Sequence, residues 1–337
     1  MNVIDSAITV KNLLQLSGLQ EVLDLDNITE IAVNQPNRIW FDRGNGWEYK
    51  DEPRCTFQIC MDLATALSVY SQISITLDFN NPIASVVLPD GERGQLVIPP
   101  ACENNCVSFT FRKPSLTRFS LEDYQNSGRF SNVKGASKVD IELSDLQREL
   151  LHLKDHGLLA DFFKLAVVNN LNILLVGGTG SGKTTVMKAF VDQYPDWLRL
   201  FTIEDVHELD LPNHPNHVHL YYKNKGITPK TIIEACMRMK PDHVLLAELR
   251  GDEAWNYIEM LNTGHSGSLT TIHANDCYSA FPRLAGLVKQ SEVGKTLEYD
   301  FIMKTIKSSI DVVCFFNKTY LTEIYYDPQE KNQLLSE

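Results

Sequence analysis

The sequence predicts an α/β domain built on a parallel sheet and preceded by a smaller α+β domain. After residue 172, short runs of aliphatic residues alternate with segments of helical periodicity, which is typical of repeated βαβ units. A glycine-rich loop joins the first of these runs to the helix that follows. Between Pro114 and Lys138 apolar residues become sparse, as in a linker. We therefore predict an N-terminal α+β domain at residues 1–113, a linker at 114–140 and a C-terminal domain at 141–337.

Apolar spacing in the first domain predicts helices and a set of short strands. Leucine and valine recur at helical spacing over residues 10–24 and again over residues 63–69. Tight turns at residues 44–46 and 89–91 separate the strand-like runs. The predicted strands cover residues 28–33, 38–42, 83–88, 95–98 and 107–112, with one more around Trp47 and Tyr49. Together they predict a curved antiparallel sheet with helices on one face.

The second domain is predicted to begin with two amphipathic helices and to continue with alternating strands and helices. The first helices cover residues 143–153 and 158–168 and lead into a strand at 173–176. Later strands are predicted at residues 199–203, 244–247 and 269–272, with helices at 229–239 and 253–261 between them. Helices near residues 278–289 and 299–308 and strands near 311–316 and 320–325 are expected to pack around this sheet.

Residues 172–185, NILLVGGTGSGKTT, contain the pattern of a phosphate-binding loop. In G-x-x-x-x-G-K-[ST], the glycines let backbone N–H groups point at phosphate oxygens, and the following helix adds its dipole. We assign Lys183 to the β- and γ-phosphates of a nucleotide and the Thr184 hydroxyl to Mg²⁺. The predicted nucleotide-binding residues are Gly178, Thr179, Gly180, Ser181, Gly182, Lys183, Thr184 and Thr185. A tight structural turn is the alternative.

Carboxylates follow two other predicted strands of this sheet. An NTPase needs an acid that orients the attacking water and helps to hold Mg²⁺, usually after an apolar strand beside the phosphate-loop strand. Glu248 follows such a strand, and because it is a Glu where Asp is common, we expect it to act on water more than on metal. After another strand, we expect Glu204 and Glu208 to take part in catalysis and Glu204 and Asp205 to bind Mg²⁺. Spacing alone leaves open which of these three acids is essential.

Residues 263–275, TGHSGSLTTIHAN, place two histidines on either side of a predicted strand. Such histidines sense a γ-phosphate or relay a shift of the strand, whereas lone histidines are usually structural. Because both lie among Gly, Ser and Thr, we assign His273 to catalysis and His265 to nucleotide binding.

Composition excludes several classes of protein. The 337 residues include 31 Lys and Arg against 43 Asp and Glu, a net charge of −12, which argues against direct nucleic-acid binding and against unaided binding to anionic lipid. We find no apolar run of membrane-spanning length and no signal peptide, so we expect a cytoplasmic protein that reaches a membrane only through partner proteins.

The motifs together resemble those of a known family. GGTGSGKTT, IEDVHEL, RMKPDHVLLAELRGDEA and TGHSGSLTTIHAN occur in the order and at the approximate spacing found in the secretion ATPases. Within that superfamily the chain is similar to the traffic ATPases of bacterial type IV secretion and conjugation systems, the eleventh VirB component. The resemblance is specific over about residues 80–315 and weaker over 1–80.

The resemblance implies a RecA-like P-loop ATPase domain, a homohexameric ring, and ATP and Mg²⁺ bound between the two domains. It implies that the first domain supplies phosphate-binding arginines, for which Arg93 and Arg112 match, and that Arg238 and Arg250 are further candidates. Where the family usually has other arginines, this chain has Lys240 and His243, which puts a phosphate role for those positions in doubt. The implied partners are a second ATPase and a coupling protein on the cytoplasmic face of the inner membrane.

Two alternatives remain open from the sequence. One is a nucleotide-gated docking switch in the same machine, whose bound state rather than its hydrolysis selects a partner. The other is a motor ATPase of a type II secretion or type IV pilus system, although those motors usually carry sequences closer to IEDPVE and LSTLHTN.

Overall fold

The structure is a computed structural model that describes residues 3–114, 118–133, 135, 140–223 and 226–336. Of the predicted linker, residues 115–117, 134 and 136–139 lie outside the described residues. The described chain forms an antiparallel sheet within residues 30–112 and a largely parallel sheet within residues 173–325. Within these ranges, no helix combines the length and the apolar character needed to cross a bilayer.

The first domain consists of an antiparallel sheet covered on one face by helices, as predicted. The helices are α1 (Val3–Leu16), α2 (Leu19–Leu23) and α3 (Phe57–Tyr70), and the strands are β1 (Glu30–Val33), β2 (Arg38–Asp42), β3 (Trp47–Asp51), β4 (Ile83–Val87), β5 (Arg93–Val97) and β6 (Ser108–Arg112). The strand order is β3-β2-β1-β6-β5-β4. Alternating residues of the strands, among them Ile39, Phe109 and Phe111, pack with Leu14 and Leu67 of the helices in one core.

Where the sequence predicts helical structure over residues 10–24, the structure has two helices, α1 and α2, with a break between them. The chain breaks between α1 and α2 at Gly18, whose φ of 76° is a left-handed conformation that favours glycine. A Cβ atom at this position would lie 2.6 Å from the Glu52 carboxylate. Helical periodicity continues through the break because both helices bury residues on the same side, so spacing alone does not reveal it.

A short helix lies within the predicted linker. α4 (Leu121–Asn126) starts with a capping box, in which the Ser120 hydroxyl accepts from the Asp123 N–H and the Asp123 carboxylate accepts from the Ser120 N–H. None of its residues is buried. The described part of the linker therefore has local order but no core of its own.

The second domain is a seven-stranded sheet between two layers of helices. Its elements are α5 (Asp145–Asp155), α6 (Leu159–Val168), β7 (Ile173–Gly177), α7 (Lys183–Val191), β8 (Leu200–Glu204), β9 (His217–Tyr221), α8 (Pro229–Cys236), β10 (His243–Leu246), α9 (Glu253–Leu261), β11 (Leu269–Ile272), α10 (Cys277–Val288), α11 (Glu292–Thr296), α12 (Tyr299–Ser309), β12 (Val312–Asn317), β13 (Tyr320–Tyr325) and α13 (Pro328–Ser336). The order is β13-β12-β7-β11-β10-β8-β9, and only β13 runs antiparallel to its neighbour. The predicted α/β class with a parallel sheet is confirmed.

Two features of this sheet differ from the prediction. β9, with the sequence HVHLY, is an edge strand that was not predicted from the sequence, because it is short and its histidines alternate with only two aliphatic residues. The strand that precedes Glu248 is not beside the phosphate-loop strand, since β11 lies between β10 and β7. All residues of β7, β10 and β11 are buried, as expected of central parallel strands.

The uncovered face of the first sheet rests on the second domain around a buried arginine. Arg199, directly before β8, is 0% exposed and donates to the side-chain oxygens of Asn34 at 2.9 Å and Asn216 at 2.7 Å. Its guanidinium also contacts Thr110 and lies 4.7 Å from the centre of the Trp47 ring. Three of these four partners belong to the first domain, so Arg199 ties the two domains together.

Candidate active site

The phosphate-binding loop lies between the carboxyl end of β7 and the start of α7. Gly180 and Gly182 have φ values of 75° and 80°, left-handed conformations that favour glycine. At Gly177 a Cβ atom would lie 2.5 Å from both the Phe316 carbonyl oxygen and the Ser181 hydroxyl. A side chain would therefore clash at Gly177, and at Gly180 and Gly182 it would strain the backbone.

The loop contains polar groups suited to a phosphate. The Ser181 hydroxyl is buried and, within the described part of the chain, has no hydrogen-bond partner. The Lys183 ammonium donates to the carbonyls of Gly177 at 2.8 Å and Gly178 at 2.9 Å, and burial lowers its pKa. The N-terminus of the nine-residue helix α7 begins at the same point. An anion at this loop would meet a cation, a free hydroxyl and a helix dipole.

A cavity of about 580 Å³ adjoins the loop. Gly178, Thr179, Gly180 and Ser181 line one side, and His273, Ala274, Asn275, Ser279, Arg283, Phe315, Phe316, Asn317 and Lys318 line the rest. Two cations among these residues, Arg283 of α10 and Lys318, were not predicted. Lys318 and Thr319 form the two-residue turn between β12 and β13 and both have positive φ, which is unusual for residues other than glycine at a hairpin turn. That departure from turn chemistry is the signal in the sequence that would have drawn attention to Lys318.

Glu248 follows β10, one strand removed from the phosphate-loop strand, and its carboxylate is held by two neighbours. Its carboxylate accepts from His273 Nε2 at 2.9 Å and from Arg250 at 2.7 Å, and its charge acts on the Lys183 ammonium. Arg250 also pairs with Asp205 at 2.8 Å. The structure thus brings four predicted site residues to one edge of the sheet: Lys183, Glu248, His273 and Asp205. Arg250 joins two of them, because it pairs with both Glu248 and Asp205.

The structure places the Glu204 carboxylate in the anchor of the loop after β8. This carboxylate is 0% exposed, and one of its oxygens accepts from the backbone N–H groups of Glu208 and Leu209, both at 2.9 Å. The other oxygen accepts from the Thr202 hydroxyl at 3.0 Å. Glu204 therefore anchors the loop after β8 and does not line the phosphate-loop cavity. Glu208 contributes its backbone to this anchor, and its side chain is exposed.

Four residues predicted to bind nucleotide lie together in a different place. Arg93, Arg112, Arg238 and His265 line a second cavity, of about 870 Å³, between the two domains. His265 precedes β11 and His273 follows it, so they lie at opposite ends of a strand that spans roughly 13 Å. In one chain, the structure does not bring these four residues to the phosphate loop.

The cavity between the domains contains further charged groups. The Arg112 guanidinium lies 3.7 Å from the Glu30 carboxylate, and Lys240 pairs with Asp42 at 2.7 Å. Burial raises the pKa of Glu30 to about 7. The sequence put a phosphate role for Lys240 in doubt, and in the structure its ammonium group is paired with Asp42.

Comparison with known proteins decides the family. A model described as "Type II/IV secretion system protein" matches residues 15–317. The type IV secretion system protein VirB11 of Brucella suis is 41% identical over 95% of this chain and 91% of its own length. The chain belongs to the VirB11 family of type IV secretion ATPases. The VirB11 protein of Bartonella henselae is 40% identical over 96% of this chain and 94% of its length.

The crystal structure of the Brucella suis VirB11 ATPase in complex with sulphate superimposes on this chain with a TM-score of 0.92, covering 98% of both chains at 41% identity. The VirB11 fold is therefore shared over the whole described length. Membership of this family favours the type IV reading over the motor of a type II or pilus system.

Proposed function

We propose that this VirB11 family member hydrolyses Mg·ATP at the carboxyl edge of its second sheet and that turnover powers pilus assembly and substrate translocation in a type IV secretion or conjugation system. The observation that carries the proposal is the placement of Glu248 between His273 and Arg250, within electrostatic reach of Lys183. A positioned carboxylate opposite a phosphate-binding lysine is what water attack on a γ-phosphate requires.

The residues of this edge have distinct roles in the proposal. The phosphate loop and Lys183 bind the triphosphate of the substrate, and the Ser181 hydroxyl supplies a hydrogen bond to it. Glu248 orients the attacking water, while His273 and Arg250 hold its carboxylate in place. The Thr184 hydroxyl and the Asp205 carboxylate would supply oxygen donors of the kind that suits hydrated Mg²⁺. Bound Mg²⁺ would neutralise charge on the phosphates.

The arginines of the first domain complete the site from another copy of the chain. Arg93 and Arg112 lie in the cavity between the domains, away from the phosphate loop of their own chain, and Arg112 has a side chain that is 77% exposed. The phosphate-loop cavity is open on one side, and hydrolysis coupled to motion needs a surface that closes over it. A homohexameric ring would present these arginines to the phosphate loop of a neighbouring copy.

We place the ring in the cytoplasm at the inner face of the inner membrane, where it contacts a second ATPase and the coupling protein. The net charge of −12 favours attachment through proteins over direct attachment to anionic lipid or nucleic acid.

Two substitutions test the proposed chemistry with purified protein. Lys183→Ala should abolish both productive ATP binding and turnover, whereas Glu248→Gln should keep binding and lower the hydrolysis rate by at least 100-fold, about 3 kcal/mol of transition-state stabilisation. Glu149→Gln is the matched control, because this exposed side chain belongs to α5 and has no predicted role at the site, and it should retain most of the activity. Equal rates for the wild type and Glu248→Gln would remove Glu248 from catalysis.

A further inference from the structure

A buried carboxylate and two imidazoles meet beside the catalytic edge, outside the phosphate-loop cavity. Glu204 ends β8, His219 lies on the edge strand β9, and His207 comes from the loop that follows β8. The parallel register pairs Thr202 with His219 and Glu204 with Tyr221, so Glu204 and His219 project from the same face of the sheet. The loop then returns across that face and places the ring of His207 4.5 Å from the ring of His219.

The three side chains have the spacing of a metal-binding group. One ligand atom of each lies within 4.8 Å of the others. His207 Nδ1 is 3.6 Å from the Glu204 carboxylate, and His219 Nδ1 is 4.0 Å from it. His219 Nδ1 also lies 2.8 Å from the Thr202 hydroxyl, a contact that an ion bound to this nitrogen would replace. Ligand atoms about 2.0–2.2 Å from a common ion in tetrahedral geometry are about 3.5 Å apart. The separations, at most 4.8 Å, would have to close by up to about an ångström for all three to bind one ion.

A neighbouring carboxylate orients one of the rings. His207 Nε2 donates to Asp210 at 3.0 Å, which leaves Nδ1 as the lone-pair nitrogen facing Glu204. A ligating imidazole whose other nitrogen donates to a carboxylate is the usual support of a protein metal site. The ring of His219 is buried beside that of His207.

The charge balance around Glu204 also favours a cation. Its described partners are two backbone N–H groups, a hydroxyl and the two imidazoles, and no lysine or arginine is among its ion pairs in the described chain. The ligand set, two nitrogens and one oxygen, suits zinc and other late first-row ions, whereas Mg²⁺ prefers oxygen alone.

We propose that Glu204, His207 and His219 bind one divalent transition-metal ion, with zinc as the best match. The site is separate from the Mg²⁺ position proposed for hydrolysis. It lies next to Asp205, which pairs with Arg250, so an ion there fixes the loop that carries one end of the Asp205–Arg250–Glu248 chain.

Zinc binding to the full-length, tag-free protein tests this proposal. The protein is stripped with a chelator, freed of it and titrated with Zn²⁺ alone by calorimetry, without nucleotide. All proteins carry His152→Gln and His156→Gln, because these two rings, 4.0 Å apart on α5, form a second pair able to bind transition ions. One equivalent should bind, His207→Gln should weaken binding at least 30-fold, and Asp210→Asn should weaken it roughly tenfold.

His207 is partly exposed, so its substitution leaves the core intact, and His217→Gln is the matched control. His217 also stands near His219, but its Nδ1 is 2.5 Å from the His214 carbonyl and it is not part of the trio, so its loss should leave zinc affinity unchanged. Absence of one-to-one binding in the background protein would overturn the proposal. Two other results would also overturn it: a zinc affinity of His207→Gln equal to that of the background protein, or loss of zinc binding in His217→Gln but not in His207→Gln.

Discussion

Replacement of Arg199 by alanine is expected to loosen the joint between the two domains. The buried guanidinium binds Asn34 and Thr110 of the first domain and Asn216 of the second, and it lies against the Trp47 ring. Arg199→Ala removes these contacts, leaves a cavity and strands the Asn34 oxygen, whereas the Asn216 oxygen still accepts from the Asn34 amide.

The size of the effect follows from two opposing contributions. Burial lowers the pKa of Arg199 to about 9, and at about 1.4 kcal/mol for each pH unit this desolvation costs roughly 5 kcal/mol. Hydrogen bonds from a charged donor contribute about 1.5–3 kcal/mol each. The guanidinium donates four, to Asn34, Asn216, Thr110 and the Met239 carbonyl, and together they exceed that cost by a few kcal/mol. Arg199→Ala should therefore destabilise the protein by about 2–4 kcal/mol. Arg199→Met fills the volume without a charge to desolvate and should cost about half as much.

Urea unfolding at pH 7 without nucleotide, followed by tryptophan fluorescence, measures both variants. Arg148→Ala is the control, because that arginine forms an exposed ion pair with Asp145, and it should shift stability by less than about 0.5 kcal/mol. A loss for Arg199→Met as large as that for Arg199→Ala would refute the reasoning, since the charge itself would then stabilise the joint.

Three further predictions concern the nucleotide site and the cavity between the domains. Gly177→Ala should abolish ATP binding in a fluorescent-nucleotide titration, because its Cβ would lie 2.5 Å from the Phe316 carbonyl; normal affinity would contradict the loop geometry. Arg283→Ala and Lys318→Ala should each raise KM for ATP several-fold with a smaller change in kcat, because both cations line the cavity. An unchanged KM in both variants would place the nucleotide elsewhere. The pKa of Glu30 is raised from 4.5 to about 7, so the stability contributed by the protonated carboxyl is lost as pH rises between these values. In urea unfolding, the free energy of unfolding of Glu30→Gln should exceed that of the wild type by about 2 kcal/mol at pH 8 but not at pH 5.

Much of the fold was predictable because local signals and burial agree. Central strands such as β7 and β11 are short apolar runs between glycine-rich turns, and α8 and α10 begin at capping residues that the sequence displays. β9 was missed because His217 and His219 alternate with Val218 and Leu220, a polar edge pattern whose pairing with β8 depends on distant residues.

The site was predictable where motif and strand end coincide, and not where the chain returns from a distance. Lys183, Glu248 and His273 each follow or adjoin a recognisable strand, and parallel strands bring their carboxyl ends together. The burial of Glu204 depends on the backbone of the following loop folding back onto it, which no residue spacing encodes. The position of Arg93 and Arg112 depends on how the two domains pack, which is a property of tertiary contacts alone.

β11 lies between β7 and β10, and it therefore sets the distance between the phosphate-loop strand and the strand that leads to Glu248. Neighbouring strands lie about 4.8 Å apart, so β11 keeps the end of the phosphate loop and the start of the Glu248 segment about 10 Å from each other. That width accommodates a phosphoryl group with an attacking water at about 3 Å and the carboxylate beyond it. Direct pairing of the two strands would press Glu248 onto Lys183. The backbone pairing of β11 with both strands fixes this distance. Side-chain substitutions can therefore change the reaction rate without changing the length available for in-line attack.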